Sequence, residues 1–232
     1  METQVVILAA GMGTRLGQPF PKPLTPLKDG RTILAQQIGN VREVLGTDTQ
    51  LMAVVGFKLE QILEAAPDIA FVYNESFDQT NTSKSLLKAL KATGTRGVLW
   101  MNGDVVFHPG VLSRVVPLIE KDQSFVCVNT AKTAEEEVKY TVDEEGSIAL
   151  LSKQIPVADA LGEAVGINYI AAKDKSTLIR RLTEVDAQDY FERGLEVAIA
   201  DDGLAVLPVD ISDLYAVEVD FAEDLERANE VL

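Results

Sequence analysis

Val5-Val6-Ile7-Leu8-Ala9-Ala10-Gly11-Met12-Gly13-Thr14-Arg15-Leu16 runs from an apolar strand straight into a glycine loop, and the prolines after that loop set the architecture. The run Val5 to Ala9 is short, branched and apolar throughout, as a strand covered on both faces of a sheet must be. Gly11 and Gly13 leave backbone amides room to approach a phosphate or a base. Two similar phosphate loops are excluded by their own physics. A dinucleotide-binding turn needs a third glycine where Leu16 stands, and a helix that starts at once so that its amino end faces the pyrophosphate. A Walker loop needs Gly-Lys-Ser/Thr at a fixed offset, and that is absent. Pro19, Pro21, Pro23 and Pro26 come instead. Proline removes amide donors and restrains the residue before it, so an extended loop is predicted here rather than a helix.

Outward from this loop, apolar runs alternate with stretches of helical period. Leu34, Ile38, Val41 and Leu45 mark a helix, Leu51 to Val55 a strand, Leu59 to Glu64 a short helix and Ile69 to Tyr73 another strand. Leu86, Leu87 and Leu90 lie on a helix that Asn81 or Thr82 can cap. Gly97 to Met101 is the next strand, and Pro109 suits the first turn of the helix after it. The second half is less regular. Lys139 to Val142, Ile148 to Ser152 and Ala164 to Ala171 read as antiparallel additions. Two helices, around Leu178 and Leu182 and around Phe191 and Leu195, precede strands at Ala205 to Val209 and Tyr215 to Val219 and a final helix. The fold class is α/β, a Rossmann-like mixed, mainly parallel sheet flanked by helices with small antiparallel additions. Ligands are expected at the carboxyl ends of the parallel strands. Residues 1–232 are read as a single domain.

Composition narrows the partners. Lys and Arg number 21 against 36 Asp and Glu, for a net charge of −15. A chain so acidic lacks the basic stripe that nucleic acid or an anionic membrane surface requires. Hydrophobic residues at 47% with 25% charged residues are enough for an ordinary buried core. Cys127 is the single cysteine, which excludes an intramolecular disulfide. The stretch METQVVILAAGMG has neither the basic start nor the apolar length of a leader, and no run reaches the ~20 apolar residues of a membrane span. The expected compartment is the cytoplasm.

Arg15 and Lys22 flank the loop, so two cations are held by proline-stiffened backbone where they can neutralise a triphosphate and its leaving pyrophosphate. The same residues also describe a glycine turn with two solvated charges. LAAGMGTRL followed by Pro21-Lys22-Pro23-Leu24 resembles the paired motif G-x-G-T-R-L and P-K-P-L of the nucleotidyltransferases that make nucleoside-diphosphate sugars and alcohols. The resemblance extends over nearly the whole chain and is closest to the small cytidylyltransferases acting on phosphocholine, inositol phosphate or phosphonates. It implies the nucleotide-diphospho-sugar transferase fold. It also implies a loop of Leu8, Ala9, Ala10, Gly11, Met12, Gly13 and Thr14 around the nucleotide, with Arg15 and Lys22 on its phosphates.

Nucleotidyl transfer joins two anions, so a divalent ion, Mg²⁺, is the expected means of offsetting repulsion at the α-phosphate. Asp104, in Asn102-Gly103-Asp104 after a strand, and Asp220, after Glu218-Val219, are the carboxylates placed for it. By spacing alone Asp104 is equally a turn residue, and Asp220 a helix N-cap with Glu223 completing a box. The resemblance implies that both are the metal ligands. Glu218 is a weaker candidate on the face of Asp220.

Asn81-Thr82-Ser83-Lys84-Ser85-Leu86 resembles the family's N-x-x-x-S-L stretch beside the base, which implies contacts from Asn81 and Ser85. Gly56 and Phe57 resemble its G-Y pair, without the hydroxyl. Lys139, Lys153 and Glu163 fall on the "V-K… S-K… G-E-x-x-G-I" pattern, which places Lys153 at the acceptor phosphate and the other two nearby. For Lys139 and Glu163 an ordinary solvated charge is as good a reading. Tyr190 and Phe191, taken as one helix, lie ~100° apart around its axis; Phe191 shares the core face, so Tyr190 is the pocket wall. A choline headgroup calls for an aromatic cage, and Val138 stands where a choline enzyme should have tryptophan. His108, Cys127 and Trp100 read as structural.

Taken together, these features describe a Mg²⁺-dependent transfer of a nucleotidyl group, CMP from CTP, to a phosphorylated alcohol or phosphonate, with Arg15, Lys22 and Lys153 as the working cations. The chain is expected as monomer or homodimer. The alternatives are a sugar-1-phosphate uridylyl- or thymidylyltransferase, and a nucleotide sensor without turnover.

Overall fold

The computed structural model describes residues 3–131 and 133–232. β1 (Gln4–Ala9) lies between two parallel partners, β2 (Gln50–Val55) and β4 (Val98–Asn102), and β3 (Ala70–Tyr73) extends the sheet beyond β2. On the other side β9 (Gly162–Ile170) runs antiparallel between β4 and β6 (Phe125–Asn129), and β10 (Leu207–Asp210) pairs in parallel with β6. The hairpin of β7 (Lys139–Val142) and β8 (Ile148–Ser152) branches from β9. Among the described residues these make a nine-stranded sheet whose main path is β10-β6-β9-β4-β1-β2-β3. A separate antiparallel pair joins β5 (Val105–Phe107) to β11 (Ala216–Glu218).

Helices cover both faces because the strands are apolar on both. Val5, Ile7 and Ala9 face α1 (Ile33–Leu45), α2 (Leu59–Ala65) and α4 (Gly110–Glu120), through Leu34, Val41, Ile62, Val111 and Val115. Val6 and Leu8 point the other way, onto α3 (Thr82–Ala92), α5 (Lys175–Glu184) and α6 (Phe191–Asp202), through Leu86, Leu90, Leu178 and Leu195. The period-two alternation of a strand does this sorting. Trp100 and Phe191 meet edge to face at 5.6 Å in the second layer. Thr32 caps α1 by accepting from Ala35 N at 3.1 Å, an N-cap contact that contributes about 1 kcal/mol. A third, small cluster of Leu27, Ile33, Val106, Val219 and Ala228 seats α7 (Ala222–Val231).

Three local expectations are corrected. The proline stretch is not wholly extended: single helical turns form at Thr14–Leu16 and Lys22–Leu24. The second is possible because Leu24 N and Thr25 N donate to Pro21 O and Lys22 O, so no proline is asked for a proton. Tyr190 is the residue before α6 and not within it. Asp220 is not the cap of α7; the helix starts one residue later, with the Asp224 carboxylate accepting from both Asp220 N and Phe221 N. No helix among the described residues is long and apolar enough to cross a membrane.

Candidate active site

Asp104 sits in the tight connection from β4 to β5, at the carboxyl end of the parallel strands. Gly103 N donates to Leu8 O at 2.9 Å, and a Cβ on Gly103 would lie 2.6 Å from that oxygen; only glycine lets the connection lie this close to β1. The Gln37 amide of α1 donates to Asn102 O and Val105 O, both at 2.8 Å. It thus clamps the connection on either side of Asp104. Gln36 and Asn40 do the same one step further on, both donating to Phe107 O.

The small sheet brings the second acid in. Glu218 pairs with Val105 across β11 and β5, and Val219 N donates to Asp104 O at 2.9 Å. Continuing that antiparallel register by one residue sets Val219 opposite Asp104, and Asp220 is the next residue along. One carboxylate oxygen from each of Asp104, Glu218 and Asp220 falls within 4.8 Å of the others, close enough for one metal ion. Asp104 Oδ1 is buried with no hydrogen-bond partner, an orphaned acceptor that a cation would satisfy. Oxygen ligands of this kind suit a hard divalent ion.

Cations from the loop already face these acids. Lys22 Nζ lies 2.9 Å from Asp104 Oδ2 and also donates to Asp220 Oδ1; Arg15 Nη1 lies 2.8 Å from Asp220 Oδ2. Burial works against the Lys22 ammonium, but the carboxylates of Asp104 and Asp220 outweigh it and raise its pKa. Burial pushes Glu218 well up, with Asp104, Glu137 and Asp220 adding repulsion and Lys22 opposing. The Arg15 guanidinium also lies 5.8 Å above the exposed Phe221 ring.

Leu8, Ala9 and Ala10 are buried at the end of β1, while Gly11, Met12 and Gly13 emerge. Gly13 has φ +58, the left-handed region where glycine is favoured, and the side chain of Thr14 lies outside the described residues. Gly56 follows β2 beside this loop; a Cβ there would stand 2.5 Å from Phe77 Cβ and 2.7 Å from Ala10 O. Lys58, in the left-handed region at φ 47, reaches across to donate to Pro19 O and so ties the loop to the start of α2.

Several implied contacts are engaged elsewhere in the fold. Asn81 caps α3, its Oδ1 accepting from Thr82 N at 2.8 Å, and its amide donates to Gln188 O. Ser85 is buried and bonded to Asn74 Nδ2 at 3.1 Å. Lys139 is not a solvated acceptor contact. It is 1% exposed, and its ammonium donates to Glu135 O and Glu137 O, so it shapes the segment before β7. Glu163 Oε2 accepts from Ala134 N at 3.0 Å. Lys153, after β8, places its ammonium 4.5 Å from the ring centre of Tyr190. Glu192, one residue into α6, stands in the field of both Lys153 and Glu137. No local pattern in the chain marks Glu192 for this place, nor Gln37 or Lys58 for theirs. His108 Nδ1 accepts from Gly110 N at a helix start, as a turn residue does, and burial raises the Cys127 thiol pKa.

A cavity of about 460 Å³ lies at the opposite end of the sheet, lined by Thr3, Arg96, Asp122 and Tyr169 among others. Of its two acids, Glu120 and Asp122, the second is committed to the fold, accepting from the Tyr169 hydroxyl and from Ala172 N. Loop, cations and acids converge instead at the open edge at the carboxyl ends.

A mixed, mainly parallel sheet with a glycine loop and opposed cations and acids at its carboxyl edge is the arrangement of a nucleotidyltransferase. The family model for the MobA-like NTP transferase domain matches residues 5–186, and the chain belongs to that family. It is 30% identical to the CMP-5′-(3-aminopropyl)phosphonate synthase of Streptomyces rubellomurinus over 97% of this chain and 38% of that relative. It is 27% identical to the bifunctional protein GlmU of Pseudomonas savastanoi pv. phaseolicola over all of this chain and 51% of that protein. The chain thus spans about half or less of these curated relatives. Among solved structures, the CTP:phosphocholine cytidylyltransferase of Streptococcus pneumoniae superposes with TM-score 0.78 at 16% identity, covering 100% of this chain and 99% of the other. The inositol-1-phosphate CTP transferase of T. maritima superposes with TM-score 0.79 at 18% identity, covering 99% and 96%. These two show a shared fold.

Proposed function

We propose that this chain is a Mg²⁺-dependent cytidylyltransferase that transfers CMP from CTP to the phosphoryl oxygen of a phosphorylated alcohol or a phosphonate, releasing pyrophosphate. The observation that carries the reading is the meeting of Asp104, Glu218 and Asp220 within 4.8 Å of one another, beside Lys22 and Arg15 at the mouth of the glycine loop. A bound Mg²⁺ supplies charge neutralisation at the α-phosphate, and Asp104 and Asp220, with Glu218 behind them, are the residues that would hold it. The relative that makes a CMP-phosphonate and the two cytidylyl-transferring neighbours support the choice of base and the class of acceptor.

The acceptor oxygen is already anionic, so no side-chain nucleophile is needed. It attacks the α-phosphorus in line; the new P–O bond forms as the bond to the β-phosphate oxygen breaks, and pyrophosphate departs with the electron pair. Arg15 and Lys22 neutralise the triphosphate and the leaving group. The small residues of the loop admit the nucleotide against backbone amides, and Lys153 orients the acceptor's oxyanion. The test is pyrophosphate release across the four NTPs, with and without Mg²⁺, over a panel of phosphorylated alcohols and phosphonates. Release with CTP and Mg²⁺ is expected, with Asp104→Asn and Asp220→Asn each lowering the rate by about 10²-fold or more. Release with UTP or dTTP and sugar 1-phosphates alone would replace the base and acceptor. Nucleotide binding without turnover on any acceptor would overturn the reading.

A further inference from the structure

Arg15 and Lys22 serve the same phosphates in the reaction proposed above, yet the fold holds them unequally. The Lys22 side chain is 11% exposed and that of Arg15 56%. Keeping a long, exposed cation in one geometry costs conformational entropy, so it needs a hold. Arg15 has two. The Asp220 carboxylate lies 2.8 Å from Nη1, and the centre of the Phe221 ring lies 5.8 Å from the guanidinium carbon. The two holds differ in permanence. Asp220 is one of the carboxylates that would carry the metal ion, and an oxygen engaged there is withdrawn from Arg15. The ring has no such competing partner.

Nothing in α7 itself calls for a phenylalanine here. Phe221 stands at the N-cap, where Ser, Thr, Asp or Asn is favoured because its oxygen accepts from the first turn; a phenyl ring has no such atom. Asp224 stands in from within the helix. Its carboxylate accepts from Asp220 N at 3.0 Å and from Phe221 N at 2.8 Å, which fixes the main chain of both residues. The small core under α7 is made by Val219, Leu225 and Ala228, while the Phe221 ring stays 46% exposed. A residue that breaks the local rule without serving the core points to the site. We propose that Phe221 is a positioning residue for Arg15: its ring keeps the guanidinium at the mouth of the glycine loop, facing the triphosphate, by a hold that does not depend on Asp220. The planar guanidinium suits such a face. This rests on the nucleotidyl-transfer reading.

The test is calorimetric titration of the nucleotide with Mg²⁺ and no acceptor, using CTP or whichever NTP releases pyrophosphate in the assay above. Phe221→Leu is expected to weaken nucleotide affinity about two- to fivefold, the scale of one exposed cation–π contact. Phe221→Tyr, which keeps the ring, should restore it. In an Arg15→Gln background Phe221→Leu should cost nothing further, because the ring acts through the guanidinium. In turnover the Leu variant should raise the KM of the nucleotide and leave that of the acceptor unchanged. Its melting temperature should stay that of the wild type, since the ring lies outside the core. An unchanged affinity in Phe221→Leu overturns the inference and leaves nucleotidyl transfer standing. An equal loss with and without Arg15 does so too, since the ring would then touch the nucleotide itself. If no NTP binds the wild type, the transfer reading falls and this inference with it.

Discussion

The Lys22 ammonium lies 2.9 Å from Asp104 Oδ2 and simultaneously bonds Asp220, so a side-chain cation occupies the gap that two carboxylates would offer a metal ion. Removing that competitor should make the gap available. Lys22→Met is expected to bind Mn²⁺ at least about tenfold more tightly in the absence of nucleotide, as followed by the electron-spin signal of the free ion. The same variant should lose about 10²-fold or more in turnover, since the charge that meets the triphosphate is gone. Unchanged Mn²⁺ affinity would mean that the ammonium is not holding the ligands.

Gln37 is a buried amide whose two hydrogen bonds flank Asp104. Gln37→Leu keeps the bulk of the side chain and orphans two carbonyls, so a stability loss of about 1–3 kcal/mol is expected. Urea unfolding at an unchanged m-value would report it. Mn²⁺ binding should weaken in step, because the acid is positioned from behind by this amide.

Gly56 and Gly103 are places where backbone passes too near for a side chain. For Gly103→Ala the added carbon meets the Leu8 carbonyl at 2.6 Å and Pro23 Cγ at 3.0 Å, and overpacking of that kind costs about 1–3 kcal/mol. Thermal melts should show the loss. Nucleotide affinity should fall too, since the displaced backbone is the end of β1 from which the loop departs.

Burial is the main reason the Glu192 carboxyl stands at about 7 rather than at its ordinary 4.5. The folded chain therefore binds this proton more tightly than the unfolded chain, and its contribution to stability falls as pH rises from about 4.5 to about 7. Glu192→Gln removes the dependence. Melts near pH 5 and near pH 8 should show the variant gaining on the wild type at the higher pH. A constant difference between the two proteins would contradict the assignment.

Much of the fold is readable in one dimension. The apolar run of β1, the prolines that limit the stretch after it to single helical turns, and the acidic residues following β4 and β11 all stand in the chain as local patterns. The meeting of Asp104 and Asp220 is suggested only by resemblance, because it depends on the β5 and β11 register, a long-range pairing with no local trace. Lys139 and Lys153 show the same limit: each is a lysine at the end of a strand, yet one turns inward onto carbonyls and the other lies on Tyr190. Spacing records that a charge is present, and packing decides which way it points. Asn81 caps its helix through the neighbouring Thr82 N, as short polar side chains at a helix start do, while the buried Ser85 meets the side-chain amide of Asn74. Gln37 looks like any polar residue on an amphipathic helix; a buried amide signals itself only once its two carbonyls are in view.

The three-residue β11 has a consequence for the life of the chain. During synthesis the glycine loop and Lys22 emerge early, whereas Asp220 is made 198 residues after Lys22 and is delivered by the pairing of β11 with β5. The acidic group is therefore complete only once this short strand near the end of the chain has docked.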